Sequence, residues 1–135
     1  MQLSDFDGDQ VRRLNELHES PLFASEADRL FDLLHGQPYL TRKAFYLVKN
    51  GMTPDQLFAD AAEDSGPFGD HLRNYFLRLL NYPNLSAALK QVARGQGCSD
   101  RKLAYRLESA GLVKSVGGKV VPRCTLYAQY VRDRL

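Results

Sequence analysis

Residues 103–122 read LAYRLESAGLVKSVGGKVVP, and the hydrophobic period changes in the middle of that stretch. Leu103, Ala104, Leu107 and Ala110 recur at three- and four-residue steps, the spacing of one face of an α-helix. Gly111 then offers a residue that enters positive φ without steric cost and so stops the helix. Beyond it, Leu112 to Val116 and Lys119 to Val121 are short runs rich in valine that flank Gly117-Gly118, the composition of a tight β-hairpin. Pro122, which has no amide hydrogen to give to a ladder, is expected to end the hairpin.

Working outward, Ser99-Asp100 is a capping pair for the helix just described, and Gly95-Gln96-Gly97 is a turn. Before that turn Leu85, Ala88, Leu89 and Val92 mark one helix, and Leu72, Tyr75, Phe76, Leu79 and Leu80 mark another, closed by Tyr82-Pro83-Asn84. After the hairpin, Leu126, Tyr127, Tyr130, Val131 and Leu135 predict a terminal helix. Three helices followed by a glycine-turned hairpin is the layout of a winged helix, in which the hairpin is the wing and the third helix can enter a groove.

The amino-terminal part reads as four short helices. Val11, Leu14 and Leu17 supply the inward face of the first, with Asp7 or Asp9 as its cap. Ser25, Glu26 and Asp28 open the second, which carries Ala27, Leu30, Phe31, Leu33 and Leu34 and ends at Gly36. Pro38 suits the first turn of the third, which runs through Leu40, Ala44, Phe45, Leu47 and Val48 to Asn50-Gly51. Thr53-Pro54-Asp55 starts the fourth, with Leu57, Phe58, Ala61 and Ala62 inward.

The two parts differ in charge. Residues 1–66 carry twelve acids and six bases, a net −6, whereas residues 67–135 carry twelve bases and four acids, a net +8. The sign changes at Ser65-Gly66-Pro67, three punctuating residues in a row, which sets the expected boundary. A basic surface of this kind is suited to an anionic partner or to an acidic lobe. On the third helix of the second part, Arg101, Lys102 and Arg106 are candidate DNA contacts, joined by Lys114 and Lys119 on the wing. A solvated, charged helix face is the plain alternative.

Several chemistries are excluded or lack their residues. Composition, at 44% hydrophobic and 25% charged, is that of an ordinary globular chain rather than a disordered one. No apolar run approaches the roughly 20 residues that span a bilayer, and the acidic start with Asp5, Asp7 and Asp9 is unlike a signal peptide, so a cytoplasmic protein is expected. His18, His35, His71, Cys98 and Cys124 have none of the short paired spacings of a metal site, and no disulfide is expected between the two cysteines. No Gly-x-Ser-x-Gly elbow activates a nucleophile. No Gly-x-x-x-x-Gly-Lys-Ser/Thr loop cradles phosphates, and no apolar strand ends in paired acids for magnesium. No catalytic residue and no metal ligand is therefore assigned.

Four segments, VRRLNELHESPL, LLHGQPYLTRKAFYLV, SGPFGDHLRNYFLRLL and ESAGLVKSVGGKVVPRCTLYAQYVRDRL, resemble in order the carboxy-terminal portion of bacterial AAA-like ATPase domains related to the signal-transducing STAND class. In that family a nucleotide-binding core precedes a helical lid and a winged helix, and the parts together clamp nucleotide and switch between closed and open forms. The chain is similar to the lid and the winged helix without the core. The resemblance aligns the family's Gly-x-Pro element with Gly36-Gln37-Pro38, and implies that Gly36 and Pro38 lie against an adenine ring. Helix punctuation explains the same residue types equally well. Related proteins place a phosphate-sensing His just after the wing; here Pro122-Arg123-Cys124 has none, and Arg123 is the cation available for phosphate.

The expectation is thus a mainly α chain, with a lid-like helical bundle over residues 1–66 and a winged-helix domain over residues 67–135 that ends in a hairpin wing and a terminal helix. It is expected to be a non-enzymatic regulatory or interaction module with no intrinsic cofactor, meeting ATP or ADP only when a nucleotide-binding core is supplied. Its expected partner is that core or another protein. A small DNA-binding regulator is the alternative, and a dimerisation module is a third reading.

Overall fold

Residues 5–134 are described by a computed structural model, in which local sequence signals can be followed into packed elements. Contacts divide the chain into two units, Met1–Phe68 and Gly69–Leu135. Among the described residues there are eight α-helices, one 3₁₀ turn and one two-stranded antiparallel hairpin.

The first unit holds α1 (Gly8–Leu17), α2 (Ala24–Leu34), α3 (Pro38–Lys49) and α4 (Pro54–Ala59). Asp7 caps α1: its carboxylate accepts the amide of Gln10 at 2.8 Å while the Gln10 side chain accepts the amide of Asp7, so two otherwise orphaned donors are satisfied reciprocally. Thr53 and Gln56 form the same device at α4. The start of α2 lies one residue before the expected Ser25. Phe23 holds its cap position and has no oxygen to offer, and only the returning Glu26 carboxylate accepts the Phe23 amide, at 2.8 Å. Helices α1, α2 and α3 pack on one another and α3 packs on α4. Their shared core is Leu30, Leu34, Leu40, Phe45, Leu57 and Phe68, all fully buried; each contributes about 1.5–3 kcal/mol through removal from water.

The inward face of α1 differs from the expected one. Leu17 is 72% exposed, and the polar Asn15 is buried in the core instead. Its amide donates to the carbonyl of Leu22 at 2.8 Å and its oxygen accepts the amide of Leu22 at 3.0 Å, so the α1–α2 connection is tied back onto the helix. Burial of an amide is tolerated when both its donor and its acceptor are paired. Arg12 braces the same two helices from outside by a bidentate contact with Asp28, at 2.8 and 3.0 Å.

The second unit holds α5 (Gly69–Phe76), a 3₁₀ turn (Leu77–Asn81), α6 (Pro83–Ala93), α7 (Arg101–Ser109), β1 (Val113–Val116), β2 (Lys119–Pro122) and α8 (Thr125–Arg134). The single helix expected across residues 72–80 is split, because Pro83 forces Tyr82 out of the α region (φ −133°, ψ 78°) and the preceding turn tightens to 3₁₀ geometry. Leu135 and the side chain of Leu80, both expected to face inward, lie outside what is described. Helix α6 is the hub: it packs on α7, α8, β2 and the 3₁₀ turn. Leu89, Leu107, Leu126 and Tyr127 are fully buried around it.

Helix α7 is anchored less deeply than its periodicity predicts. Leu107 is its buried residue, Leu103 and Ala104 are half-buried, and Ala110 is exposed. Gly111, at φ +78°, ends it by letting the Leu112 amide reach the carbonyl of Leu107 at 3.0 Å. The hairpin pairs Val113 with Pro122 and Val116 with Lys119, and turns through Gly117 and Gly118 at φ +58° and +80°. Pro122 is the last paired residue rather than the first beyond the hairpin; a two-stranded ribbon has a free edge on which its missing amide hydrogen costs no bond.

Candidate functional site

The Gly36-Gln37-Pro38 element is built by two successive left-handed residues. His35 and Gly36, at φ +50° and +73°, turn the chain sharply out of α2, and Gln37 caps α3 by accepting the Leu40 amide at 2.7 Å. The Phe6 amide donates to the carbonyl of Gly36 at 2.7 Å, and a Cβ at Gly36 would lie 1.8 Å from the Phe6 carbonyl oxygen. Glycine is therefore required here by the close crossing of the chain's own backbone. Pro38 is buried at the first position of α3, where its fixed φ matches the helix.

Beside Pro38, an open depression of about 540 Å³ lies along α3, lined also by Tyr39, Arg42, Lys43 and Tyr46. Tyr39 is 55% and Tyr46 64% exposed, and the Arg42 guanidinium lies 5.5 Å from the centroid of the Phe6 ring. Two aromatic faces, a proline and two cations offer stacking surface for a planar ring and charge for an anion. The signal for these four residues was present as a spacing of three, four and seven along the outer face of α3, but their polarity reads equally as solvated surface.

Arg123 belongs to the second unit, directly after β2. Its amide donates to the Leu112 carbonyl at 3.0 Å, and one guanidinium nitrogen sits 3.3 Å from where a Cβ on Gly111 would be. The side chain is half-buried against the turn between α7 and β1. The adjacent Cys124 is buried, and loss of solvation pushes its thiol up to about 11, so it stays neutral and poorly nucleophilic at neutral pH.

The basic candidates of α7 and the hairpin are all in the second unit. Arg101, Lys102, Arg106 and Lys119 are exposed and Lys114 is half-buried. Asp100 caps α7 by accepting the amides of Lys102 and Leu103, at 2.9 and 3.2 Å. Tyr105, 72% exposed among these cations, was not anticipated as a surface contact. Arg106 is turned toward the Tyr82 ring, its guanidinium carbon 5.5 Å from the centroid.

The histidines have local roles. His18 donates from Nδ1 to the Leu14 carbonyl at 2.8 Å and stacks on Phe45 at 5.4 Å. The half-buried His71 has its Nε2 2.7 Å from the Tyr127 hydroxyl and packs its ring against Tyr75 and Tyr127. Both cysteines are free. Among the described residues no three His, Cys, Asp or Glu side chains converge as metal ligands, and no helix is long and apolar enough to cross a membrane.

A family model described as an AAA-like domain matches residues 1–133, nearly the whole chain. No curated protein and no solved structure matches it.

Proposed function

Because the chain belongs to the AAA-like domain family, we propose that it is a non-catalytic regulatory module, a helical lid followed by a winged helix of STAND type, that works on a nucleotide-bound core. The observation that carries this reading is a family match over residues 1–133 in a sequence that has no phosphate-binding loop. Because the sequence lacks the glycine-rich loop that cradles phosphates in such ATPases, the proposal gives these residues a binding role and leaves phosphoryl transfer to the core. What they can do is bind and report.

Within that reading, the depression beside Pro38 is the nucleotide-facing surface of the lid. Tyr39 and Tyr46 take the planar base and Arg42 or Lys43 meets an anionic group. Gly36 shapes the turn and is covered by Phe6, so it acts through Pro38 rather than by contact. Arg123 serves as a support for the α7–β1 turn.

The test mixes the chain with a phosphate-loop core of the same family and measures association by calorimetry with and without ATP or ADP. Binding that depends on the nucleotide and is weakened at least about tenfold by a Tyr39→Ala/Tyr46→Ala pair is expected. ATP hydrolysis by the chain alone at an enzyme-like rate would falsify the proposal.

The exposed basic face of α7 favours a second reading, a winged-helix DNA binder using Arg101, Lys102 and Arg106 with Lys114 and Lys119 of the hairpin. Salt-sensitive binding to duplex DNA that disappears in the Arg101→Ala/Lys102→Ala/Arg106→Ala variant would favour it; absence of binding even at low salt removes it.

A further inference from the structure

A second cavity, of about 430 Å³, opens in the Gly69–Leu135 unit. Its size falls in the ~300–1,000 Å³ range of small-ligand sites. Leu79, Leu85 and Leu112, all nearly fully buried, form an apolar floor. Tyr75 and Tyr82 also line it, and Tyr82 is half exposed.

Two arginines, Arg78 from the 3₁₀ turn and Arg106 from α7, line the same cavity. No lining residue is acidic, and neither arginine has an ion pair among the described residues. The exposed Arg106 side chain carries its guanidinium carbon 5.5 Å from the Tyr82 ring centroid, so the cation has an aromatic face beside it. Asn74 adds an amide on the rim.

We propose that this cavity binds a small phosphate monoester carrying a planar ring. The apolar floor and the tyrosine rings take the ring, and the two arginines, a net charge of about +2 with no acid beside them, meet the dianionic phosphate. A neutral aromatic would leave both cations unmatched. A bare phosphate would leave the leucines and tyrosines uncovered. The site requires both parts of the ligand, and every residue that makes it is in one unit, so it stands independently of the lid reading.

The experiment is a titration of the full chain with 2-naphthyl phosphate, followed by NMR shifts and calorimetry, alongside 2-naphthol and inorganic phosphate. Saturable binding below about 1 mM is expected for the naphthyl phosphate, with each of the other two weaker by at least about tenfold. An Arg78→Gln/Arg106→Gln variant should weaken it at least about tenfold, and so should Tyr82→Ala, whereas Arg94→Gln, an exposed cation that does not line the cavity, should leave it unchanged. Arg78, Arg94 and Arg106 are exposed, so circular dichroism should confirm an intact fold in each arginine variant. The proposal is overturned by absence of saturation up to about 10 mM, by inorganic phosphate binding as well as the ester, or by affinity that ignores the double arginine substitution.

Discussion

The imidazole Nε2 of His71 and the phenol oxygen of Tyr127 lie 2.7 Å apart although 56 residues separate them in the chain. Tyr127 is 1% exposed, and its ring also meets Phe76 edge-on at 5.4 Å. A buried phenol must place its hydroxyl on a partner, and His71 on α5 supplies one to Tyr127 of α8.

Replacing Tyr127 by Phe keeps the ring packing and removes this bond. The expected loss is about 1 kcal/mol in denaturant unfolding at pH 7. A Tyr127→Leu change, which also removes the ring contacts, should cost about 3 kcal/mol. Equal stability of Tyr127→Phe and the parent would mean that the pair contributes nothing.

Gly36→Ala separates the two explanations of the Gly-x-Pro element. The added Cβ meets the Phe6 carbonyl at 1.8 Å and also opposes a φ of +73°, so a loss of about 2–4 kcal/mol is expected with no nucleotide present. Gly51→Ala, at φ +111° with nothing within 4 Å, carries the backbone penalty alone, about 1–2 kcal/mol. If both variants lost the same amount in thermal unfolding, the close approach of Phe6 would not be what requires glycine.

The Arg12–Asp28 pair predicts the acid limb of the stability profile. Its hydrogen bond with Arg12 holds the Asp28 carboxyl below its ordinary value of 3.8. A lowered folded-state pKa means that the unfolded chain takes up this proton first, so the contribution is present above about pH 4 and is lost as pH falls below it. Asp28→Asn should flatten the acid limb relative to the parent, and added salt should shrink the difference, because both side chains are solvated. Identical acid profiles for the two proteins would dismiss the effect.

Cys124 governs the alkaline side. Its thiol, at about 11 against an ordinary 9.0, favours the neutral form in the fold, so stability present below pH 9 declines as pH rises toward 11. The rise from 9.0 to about 11 corresponds to a loss on the order of 2–3 kcal/mol. Cys124→Ala should lose stability less steeply across that window. At pH 8 a thiol reagent should modify the half-buried Cys98 rapidly and Cys124 only as fast as the fold opens. Modification of both at one rate would contradict the burial.

Local chemistry explains which elements were legible. Asp7, Thr53 and Asp100 cap helices, Pro38 and Pro54 start them, Gly111 stops one and Gly117-Gly118 turns the hairpin, because each acts through atoms within about four residues of itself. The AAA-like resemblance, too, was carried by linear segments, and the family match over residues 1–133 agrees with it. The surface of the candidate site was less accessible to such reasoning. Tyr39, Arg42, Lys43 and Tyr46 follow an ordinary polar helix face, and only the fold distinguishes a concave face from a flat one.

What the sequence alone determined is a helical chain of two oppositely charged parts with a glycine-turned hairpin near its end, since propensity, capping and charge are properties of neighbouring residues. Tertiary structure decided the pairings that cross the chain: Asn15 rather than Leu17 inside because Leu22 offers it both a donor and an acceptor, Gly36 made obligatory by Phe6, His71 joined to Tyr127, and Arg106 turned onto Tyr82. Each of these depends on which segments meet once the apolar faces are buried, a choice made by the whole core rather than by any local stretch.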